Sequence, residues 1–154
     1  MKLHPLLTAV FITGHFYISA QNIPQGTSGT DRIDAHAQRE ALKESSLFSH
    51  LAFTNIGPSI FSGRIVDVDV NPSRPSEMYV AYASGGLWYT DNNATTLTPV
   101  FDKEACMTIG DIAVNWSTGT IWVGTGENNS SRSSYSGVGI YKSSDKGKTW
   151  KHMG

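Results

Sequence analysis

The chain has 154 residues, of which 39% are hydrophobic and 16% are charged, and its 12 basic side chains nearly balance its 13 acidic ones. This balance excludes a basic protein that coats nucleic acid and a strongly acidic tail. A single cysteine excludes an internal disulfide framework and a cysteine-based zinc site, and the five histidines form no pair at ligand spacing. We therefore expect no cofactor and no metal. Calcium near the Asp- and Asn-rich loops stays open, although no EF-hand spacing is present.

The first 20 residues have the pattern of a signal peptide. One charge, Lys2, precedes an apolar run over residues 6–17, which is too short to span a bilayer and typical of a signal-peptide core. The small residues Ser19 and Ala20 then precede a cleavage point at Gln21. The alternative is a buried N-terminal strand, but the polar run that follows offers it no partner. The pattern predicts an exported protein, secreted or in the cell envelope, without a transmembrane segment.

Residues 21–52 are predicted to be a linker followed by a short helix. The stretch 21–30 has the polar, Gly- and Ser-containing composition of a flexible linker. Residues 34–45 are mostly good helix formers, and Asp34 can serve as the N-cap. Few apolar side chains share one face, so we expect the helix to be peripheral.

From residue 53 onward, short runs of high β-propensity alternate with clusters of Gly, Pro, Asn, Asp and Ser. The predicted strands are residues 65–70, 78–83, 86–90 and 98–101, followed by residues 109–114, 121–125, 139–143 and 150–153. They form two sets of four.

The two sets align as an internal repeat. Residues 70–71 match residues 114–115 at an offset of 44, and residues 86–88 match residues 139–141 at an offset of 53. The difference is an insertion between the second and third strands of the second set, within residues 128–137. A four-stranded unit that repeats every 40 to 50 residues or so is typical of β-propeller blades.

We therefore predict an all-β fold, in which residues 53–154 form the first two four-stranded antiparallel blades of a β-propeller. Propellers close with about 4–8 blades, and closure protects their strand edges. Two blades make an incomplete ring, so we expect the missing blades to follow in a longer form of the same chain.

Residues 143–150 fit the pattern S-x-D-x-G-x-T-W, placed between the third and fourth strands of the second set. The specified positions are Ser143, Asp145, Gly147, Thr149 and Trp150. Asp145 can accept hydrogen bonds within its own turn, Gly147 permits a positive φ, and the Trp150 ring can pack between sheets. A catalytic Asp145 is the alternative, but structural roles explain every specified residue.

The first set carries a decayed copy of this pattern at residues 90–97. Its five positions are Thr90, Asn92, Ala94, Thr96 and Leu97.

With this motif, the chain resembles the exported Asp-box, or BNR-repeat, glycosyl-hydrolase-like β-propellers, which include sortilin-like and xyloglucanase-like proteins. Further similar stretches are N-I-G-P at 55–58, S-G-R-I at 62–65, A-S-G-G-L-W at 83–88 and G-T-G-E-N-N at 124–129. Members of this family are far longer, so the resemblance implies an N-terminal fragment. It also implies a propeller that binds a glycan or a protein, or one that hydrolyses glycosides.

Strand direction predicts which loops share one end of the blades. The start of the first strand and the loop between the second and third strands lie at one end, opposite the 143–150 turn. This end collects residues 62–64, 83–86, 106–108 and the inserted loop 126–138. Long loops on rigid scaffolds are where function concentrates, so we expect the ligand site there.

An arginine and a carboxylate that face one cleft suit a polar, sugar-like or anionic ligand. The candidate ligand-binding residues are Arg64, Glu127, Asn128, Asn129 and Arg132, with Tyr135 beside them. The structural alternatives stay open: a packing hydrogen bond for Glu127, an inter-blade salt bridge for Arg64, and a solvated loop for Arg132 and Tyr135. For the aligned Asp67 and Asp111, a repeated structural role is favoured over lining a central channel.

Two functions stay open. A glycoside hydrolase needs two carboxylates about 5–10 Å apart. The position of a catalytic Asp in xyloglucanase-like propellers falls at Ala83 here, and Val66 replaces the Pro of the sialidase Arg-Ile-Pro opening. The catalytic residues are therefore unidentified, and part of a carboxylate pair would lie outside this fragment. A binding function needs only the loop-bearing face, so we favour recognition of a glycan or protein over hydrolysis.

Overall fold

The computed structural model describes residues 25–51, 63–128 and 134–154. Its elements are α1 (Gly29–Glu44), β1 (Ile65–Val70), β2 (Met78–Tyr82), β3 (Gly86–Thr90), β4 (Thr98–Pro99), β5 (Ile109–Asn115), β6 (Thr120–Thr125), β7 (Ile140–Ser143) and β8 (Lys151–His152). The strands form two antiparallel sheets in the orders β1-β2-β3-β4 and β5-β6-β7-β8. The prediction of a mostly β structure with two sets of four strands is confirmed.

Several sequence predictions lie outside the described residues. They are the signal peptide at 1–20, the N-I-G-P segment at 55–58, Asn129 and Arg132. In the described part of the chain, no helix is both long and apolar enough to cross a membrane.

Helix α1 begins earlier than predicted, and Asp34 is not its N-cap. Ser28 is the cap residue, with extended backbone, and its Oγ accepts a hydrogen bond of 3.0 Å from the Asp31 backbone N–H. This bond satisfies one of the free N–H groups of the first turn, and the Asp31 carboxylate is favourable at a helix N-terminus. The helix therefore includes Gly29 and Thr30, although neither is a good helix former. The helix has 16 residues rather than being short, and none of its residues is fully buried.

The outer strands are shorter than predicted. Strand β4 ends at Pro99, since proline has no N–H to donate to a ladder and is tolerated at sheet edges. Strand β8 contains only Lys151 and His152, so Trp150 precedes it. Short edge strands also limit pairing with other chains.

One apolar core joins the two sheets. Tyr79 and Leu87 of the first sheet are buried with Ile121, Val123 and Tyr141 of the second sheet. Strand alternation places these side chains on one face of each sheet, because successive residues of a strand point to opposite sides. Burial of these apolar faces is the main stabilising contribution between the sheets.

Aspartates of β1 connect the first sheet to the backbone of β5. Asp67 Oδ2 accepts a hydrogen bond of 3.2 Å from the Ile112 N–H. Asp69 Oδ2 accepts one of 3.0 Å from the Val114 N–H, and Asp69 Oδ1 accepts one of 2.6 Å from the Trp116 indole N–H. These bonds fix the alignment of β1 relative to β5.

Replacement of Asp69 tests this connection. We expect Asp69→Ala to lower the free energy of unfolding by about 2 kcal/mol, because it leaves two partly buried N–H donors without an acceptor. Asp69→Asn retains one side-chain oxygen as an acceptor and is the matched control, with a smaller loss. Urea denaturation followed by tryptophan fluorescence measures both. Equal effects of the two substitutions would contradict this role.

Candidate functional site

The predicted loop segments meet at one end of the two sheets, which we call the 126–138 rim. It comprises Arg64, residues 83–86, residues 106–108 and the described ends of the 126–138 loop. The Ala83 N–H donates to the Arg64 carbonyl at 2.9 Å, the Gly86 N–H to the Met107 carbonyl at 2.9 Å, and the Gly126 N–H to the Thr108 carbonyl at 2.9 Å. The structure thus brings these segments together through their backbones.

Arg64 and Glu127 form an ion pair across the two sheets, between Arg64 Nη2 and Glu127 Oε1. The Glu127 side chain is only 1% exposed, whereas the Arg64 side chain is 41% exposed. The carboxylate is therefore enclosed, and one side of the guanidinium faces solvent. This geometry is that of an inter-sheet salt bridge with an accessible arginine.

The backbone holds Glu127 in this position. Its N–H donates to the Tyr135 carbonyl at 2.9 Å, and its Oε2 lies 3.4 Å from the Tyr135 backbone nitrogen, which donates to it. Near the base of the same loop, the Val138 N–H donates to Thr125 Oγ1 at 2.9 Å. The two ends of the inserted loop are thereby tied together next to the sheet.

Helix α1 also contributes to the rim, which the sequence analysis missed. Arg32 donates from Nη1 to the Ser136 carbonyl at 3.3 Å and from Nη2 to the Gly137 carbonyl. Ile33 packs against the shared core. The sequence analysis did not place Arg32 at the rim, because the helix was predicted to begin at Asp34 and Arg32 lay outside it.

The accessible side chains of the rim are polar and aromatic. Asn128 is exposed, and Tyr135 is 53% exposed. Together with the open side of Arg64, they offer hydrogen-bond donors, acceptors and one ring face. Such groups suit a hydroxylated or anionic ligand.

Removal of Arg64 and removal of Glu127 should lower the free energy of unfolding by different amounts. We expect Arg64→Ala to lower the free energy of unfolding by about 2–3 kcal/mol, because it leaves an enclosed carboxylate without its cation. Glu127→Gln leaves a cation that water can still reach, so its loss should be smaller, about 1 kcal/mol.

The double variant should be less destabilised than the sum of the two single variants, since it contains no unpaired buried charge. Chemical denaturation of all four proteins measures this coupling. Additive effects would contradict an interaction between the two side chains.

At the opposite end of the second sheet, Ser143 and Asp145 organise the 143–150 turn. The Ser143 hydroxyl donates to Asp145 Oδ1 at 2.8 Å and accepts the Gly147 N–H at 2.8 Å. Asp145 accepts the Thr149 N–H at 2.9 Å and the Thr149 hydroxyl at 2.6 Å. Gly147 has a φ of 82°, in the region that glycine adopts without strain. These hydrogen bonds join Asp145 only to other residues of the same turn.

Trp150 leaves this turn toward the core. Its indole N–H donates to the Val100 carbonyl at 2.7 Å, and its ring meets Phe101 edge-on at a centroid distance of 4.9 Å. The turn of the second sheet is therefore attached to the end of the first sheet.

The 90–97 turn of the first sheet has the same hydrogen-bond arrangement with different residues. The Thr90 hydroxyl donates to Asn92 Oδ1 at 3.0 Å and accepts the Ala94 N–H at 3.1 Å. The Thr96 N–H donates to Asn92 Oδ1 at 3.0 Å, and Asn92 Nδ2 donates to Thr96 Oγ1 at 2.8 Å. Ala94 adopts a φ of 61°, which strains a residue with a Cβ. The two turns are thus structural repeats as well as sequence repeats.

The pH dependence of stability distinguishes the two turns. Hydrogen bonds lower the pKa of the Asp145 carboxyl from 3.8 to about 2, and those donated by Thr149 have the largest effect. A lowered pKa in the folded state contributes stability above the unfolded value, and this contribution is lost as the pH falls toward 2. Asp145→Asn keeps a side-chain oxygen that can accept hydrogen bonds, as Asn92 does in the other turn, but it has no carboxyl group to titrate. We therefore expect the free energy of unfolding of this variant to fall less than that of the wild type between about pH 4 and pH 2.

The reciprocal variant Asn92→Asp is the matched test. Its Thr96 hydroxyl can rotate to donate, as that of Thr149 does, so this variant should gain acid sensitivity in the same range. Denaturation curves between about pH 5 and pH 2 measure both effects. Identical pH profiles for the wild type and Asp145→Asn would contradict the assignment.

A groove lies beside the 143–150 turn, at the end of the sheets opposite the 126–138 rim. Its volume is about 520 Å³. Three lysines, Lys103, Lys146 and Lys148, line it together with Asp102 and Glu104. Burial raises the pKa of both carboxyl groups. The mixture of charges gives this groove no preference for one ligand class, and the sequence analysis did not identify it.

Asp67 and Asp111 interact directly. A hydrogen bond between their side chains raises the pKa of Asp111, and burial raises it further. Both accept the Ile112 N–H, Asp67 at 3.2 Å and Asp111 at 3.0 Å. Two carboxyl groups in hydrogen-bond contact leave no room for a sugar between them, unlike the glycosidase pairs about 5–10 Å apart. Their geometry fits the repeated structural role.

Among residues 25–51, 63–128 and 134–154, no group of three or more His, Cys, Asp or Glu residues could hold a metal ion. No protein-family model matches the chain, and no curated protein matches it at a significant level. A functional assignment therefore depends on the motifs and the geometry of the chain itself.

Proposed function

We propose that the protein is an exported β-propeller of the Asp-box class, and that its 126–138 rim recognises a glycan or protein ligand without hydrolysing it. The observation that carries the proposal is the environment of Glu127. Its carboxylate is enclosed and paired with Arg64, which leaves a partly exposed guanidinium at the rim. A general acid or nucleophile must reach the substrate, whereas a binding site needs only accessible polar groups.

The repeated four-stranded sheets support the propeller part of the proposal. The two sheets share strand order, share the hydrogen-bonded turn between the third and fourth strands, and place β1 beside β5. Consecutive blades of a propeller have these relations. The Asp-box assignment and export rest on residues 143–150 and residues 1–20 of the sequence.

The exposed groups of the rim favour a hydroxylated ligand. Arg64 supplies a guanidinium, Asn128 supplies an amide that both donates and accepts, and Tyr135 supplies a ring on which a sugar can stack. Among the described residues of this rim, Glu127 is the only Asp or Glu, and it is enclosed. This arrangement supports recognition over cleavage.

A panel of oligosaccharides, assayed both for binding and for released products, tests the proposed function. We expect binding without turnover, and a loss of affinity of at least about tenfold in Asn128→Ala combined with Tyr135→Ala, because polar and stacking contacts would be removed. Lys148→Ala, at the opposite end of the sheets, is the control and should bind as the wild type does.

Equal binding by the rim variant and the wild type would exclude this rim as the site. Release of products that disappears in Glu127→Gln would instead establish a glycoside hydrolase. Absence of glycan binding, followed by capture of a purified protein ligand that depends on Asn128 and Tyr135, would assign the rim to protein recognition.

A further inference from the structure

Helix α1 contacts the inserted loop directly after the residue that holds Glu127. The Arg32 guanidinium donates to two consecutive carbonyls, from Nη1 to that of Ser136 at 3.3 Å and from Nη2 to that of Gly137. The preceding residue, Tyr135, accepts the Glu127 N–H through its carbonyl at 2.9 Å and donates its own N–H to Glu127 Oε2 at 3.4 Å. One side chain of α1 is therefore attached next to the backbone that keeps the Glu127 carboxylate in place.

The two ends of the loop pass very close to each other at this attachment. A Cβ at Gly126 would lie 2.7 Å from the Gly137 nitrogen, and a Cβ at Gly137 would lie 2.5 Å from the Gly126 nitrogen. Both distances are too short for a side-chain carbon, so only glycine fits at the two positions. The Gly137 carbonyl that Arg32 binds thus belongs to the base of the loop, where a small backbone rotation would displace Tyr135.

Other contacts dock the beginning of α1 on the same part of the fold. Ile33 packs against the core that the two sheets share. A Cβ at Gly29 would lie 3.8 Å from the Val138 Cα, so the helix backbone passes close to the end of the loop. The helix has 16 residues, none of them fully buried, and a helix of this length is marginally stable on its own. Its docking therefore relies on contacts such as those of Arg32, whose charge strengthens each hydrogen bond.

We propose that Arg32 is a positioning residue of the 126–138 rim. Docked through Arg32, α1 holds Tyr135 and Glu127 in the geometry that the ligand requires, and so it sets the affinity of the rim. This inference rests on the proposed recognition of a ligand at the rim and adds its regulation by α1. Arg32 acts through the loop backbone and does not need to touch the ligand.

The effect reaches the ligand-facing groups in two steps. The Tyr135 side chain, which is 53% exposed, follows the backbone that Arg32 fixes. The Glu127 carboxylate, which accepts the Tyr135 N–H, pairs with Arg64 and orients its accessible guanidinium. A pre-formed arrangement loses less conformational freedom on binding and therefore binds more tightly than a mobile one. Release of α1 should weaken binding although every ligand-contacting group is still present.

Thermodynamic linkage makes this coupling reciprocal. If docked α1 raises the affinity of the rim for a ligand by some factor, the bound ligand must favour docking of α1 by the same factor. Amide hydrogen exchange in α1 should therefore slow when a ligand binds, even though Arg32 does not contact that ligand.

Amide hydrogen exchange, resolved by residue with NMR, tests the positioning role without a ligand. Arg32→Gln removes the charge and the paired donors. In this variant we expect the amides of Glu127, Tyr135 and Val138 to exchange at least about tenfold faster than in the wild type. The amide of Val123, a buried residue of β6, should keep its wild-type rate.

Arg39→Gln is the matched control. Arg39 lies on the same helix, where it contacts His36 and Glu40, so its removal should leave exchange in the loop unchanged. Arg32→Lys keeps the charge but lacks the planar fork of a guanidinium, so its exchange rates should lie between those of the wild type and Arg32→Gln. If circular dichroism shows that Arg32→Gln is unfolded, Arg32→Lys provides the comparison.

The oligosaccharide panel then measures the consequence for binding. For an oligosaccharide that the wild type binds, we expect Arg32→Gln to have an affinity at least about fivefold weaker. Arg39→Gln should bind as the wild type does. In the wild type, the same oligosaccharide should slow amide exchange in α1.

Loop exchange in Arg32→Gln that matches the wild type would overturn the positioning role. Equal acceleration at Val123 would also overturn it, because it would show a general loss of stability. Unchanged affinity in a variant whose loop exchanges faster would do the same. If nothing in the panel binds the wild type, the recognition of glycans and the effect on their affinity are both excluded, while exchange still decides whether Arg32 positions the loop.

Discussion

Contact between the inward faces of the two sheets is the constraint on which the rest of the structure depends. Each sheet alone would expose Tyr79 and Leu87, or Ile121 and Val123, to water. Their burial against each other supplies a core that neither four-stranded unit has alone. Asp67 and Asp69 give this non-directional contact a fixed alignment, because their hydrogen bonds reach particular N–H groups of β5 and its following turn. The relative position of every loop at the two ends follows from that alignment.

We propose that the two ends of the sheets have different roles, one structural and the other in ligand recognition. At one end, the 90–97 and 143–150 turns use the same hydrogen-bond arrangement, although an amide in one replaces a carboxylate in the other. Charge is therefore not required for the turn, and a structural role accounts for Asp145. At the other end, the inserted loop of the second sheet adds polar side chains that the first sheet lacks. Divergence between the repeats is thus concentrated at the end where we propose that a ligand binds.

The enclosed Glu127 is the feature on which our proposal of ligand recognition, rather than hydrolysis, depends. A carboxylate at the base of a long loop fits catalysis or recognition equally well when only the sequence is known. In the folded chain it is almost fully buried and faces Arg64 from the other sheet. Helix α1 further ties the loop down through Arg32. We therefore propose that the polar groups that reach solvent at this rim form a binding surface.

The sequence by itself determined the elements and their repetition. Alternation of β-prone runs with turn residues located all eight strands, because strand periodicity and turn chemistry are local properties. The edge strands and the start of α1 were less well predicted, since a proline at an edge and the Ser28 cap shift boundaries by a few residues.

Only the tertiary structure decided which side chains are shared between repeats. The pairing of Arg64 with Glu127, the contacts of Arg32 and the links from Asp69 to β5 join residues distant in the chain, and no local pattern encodes such distances.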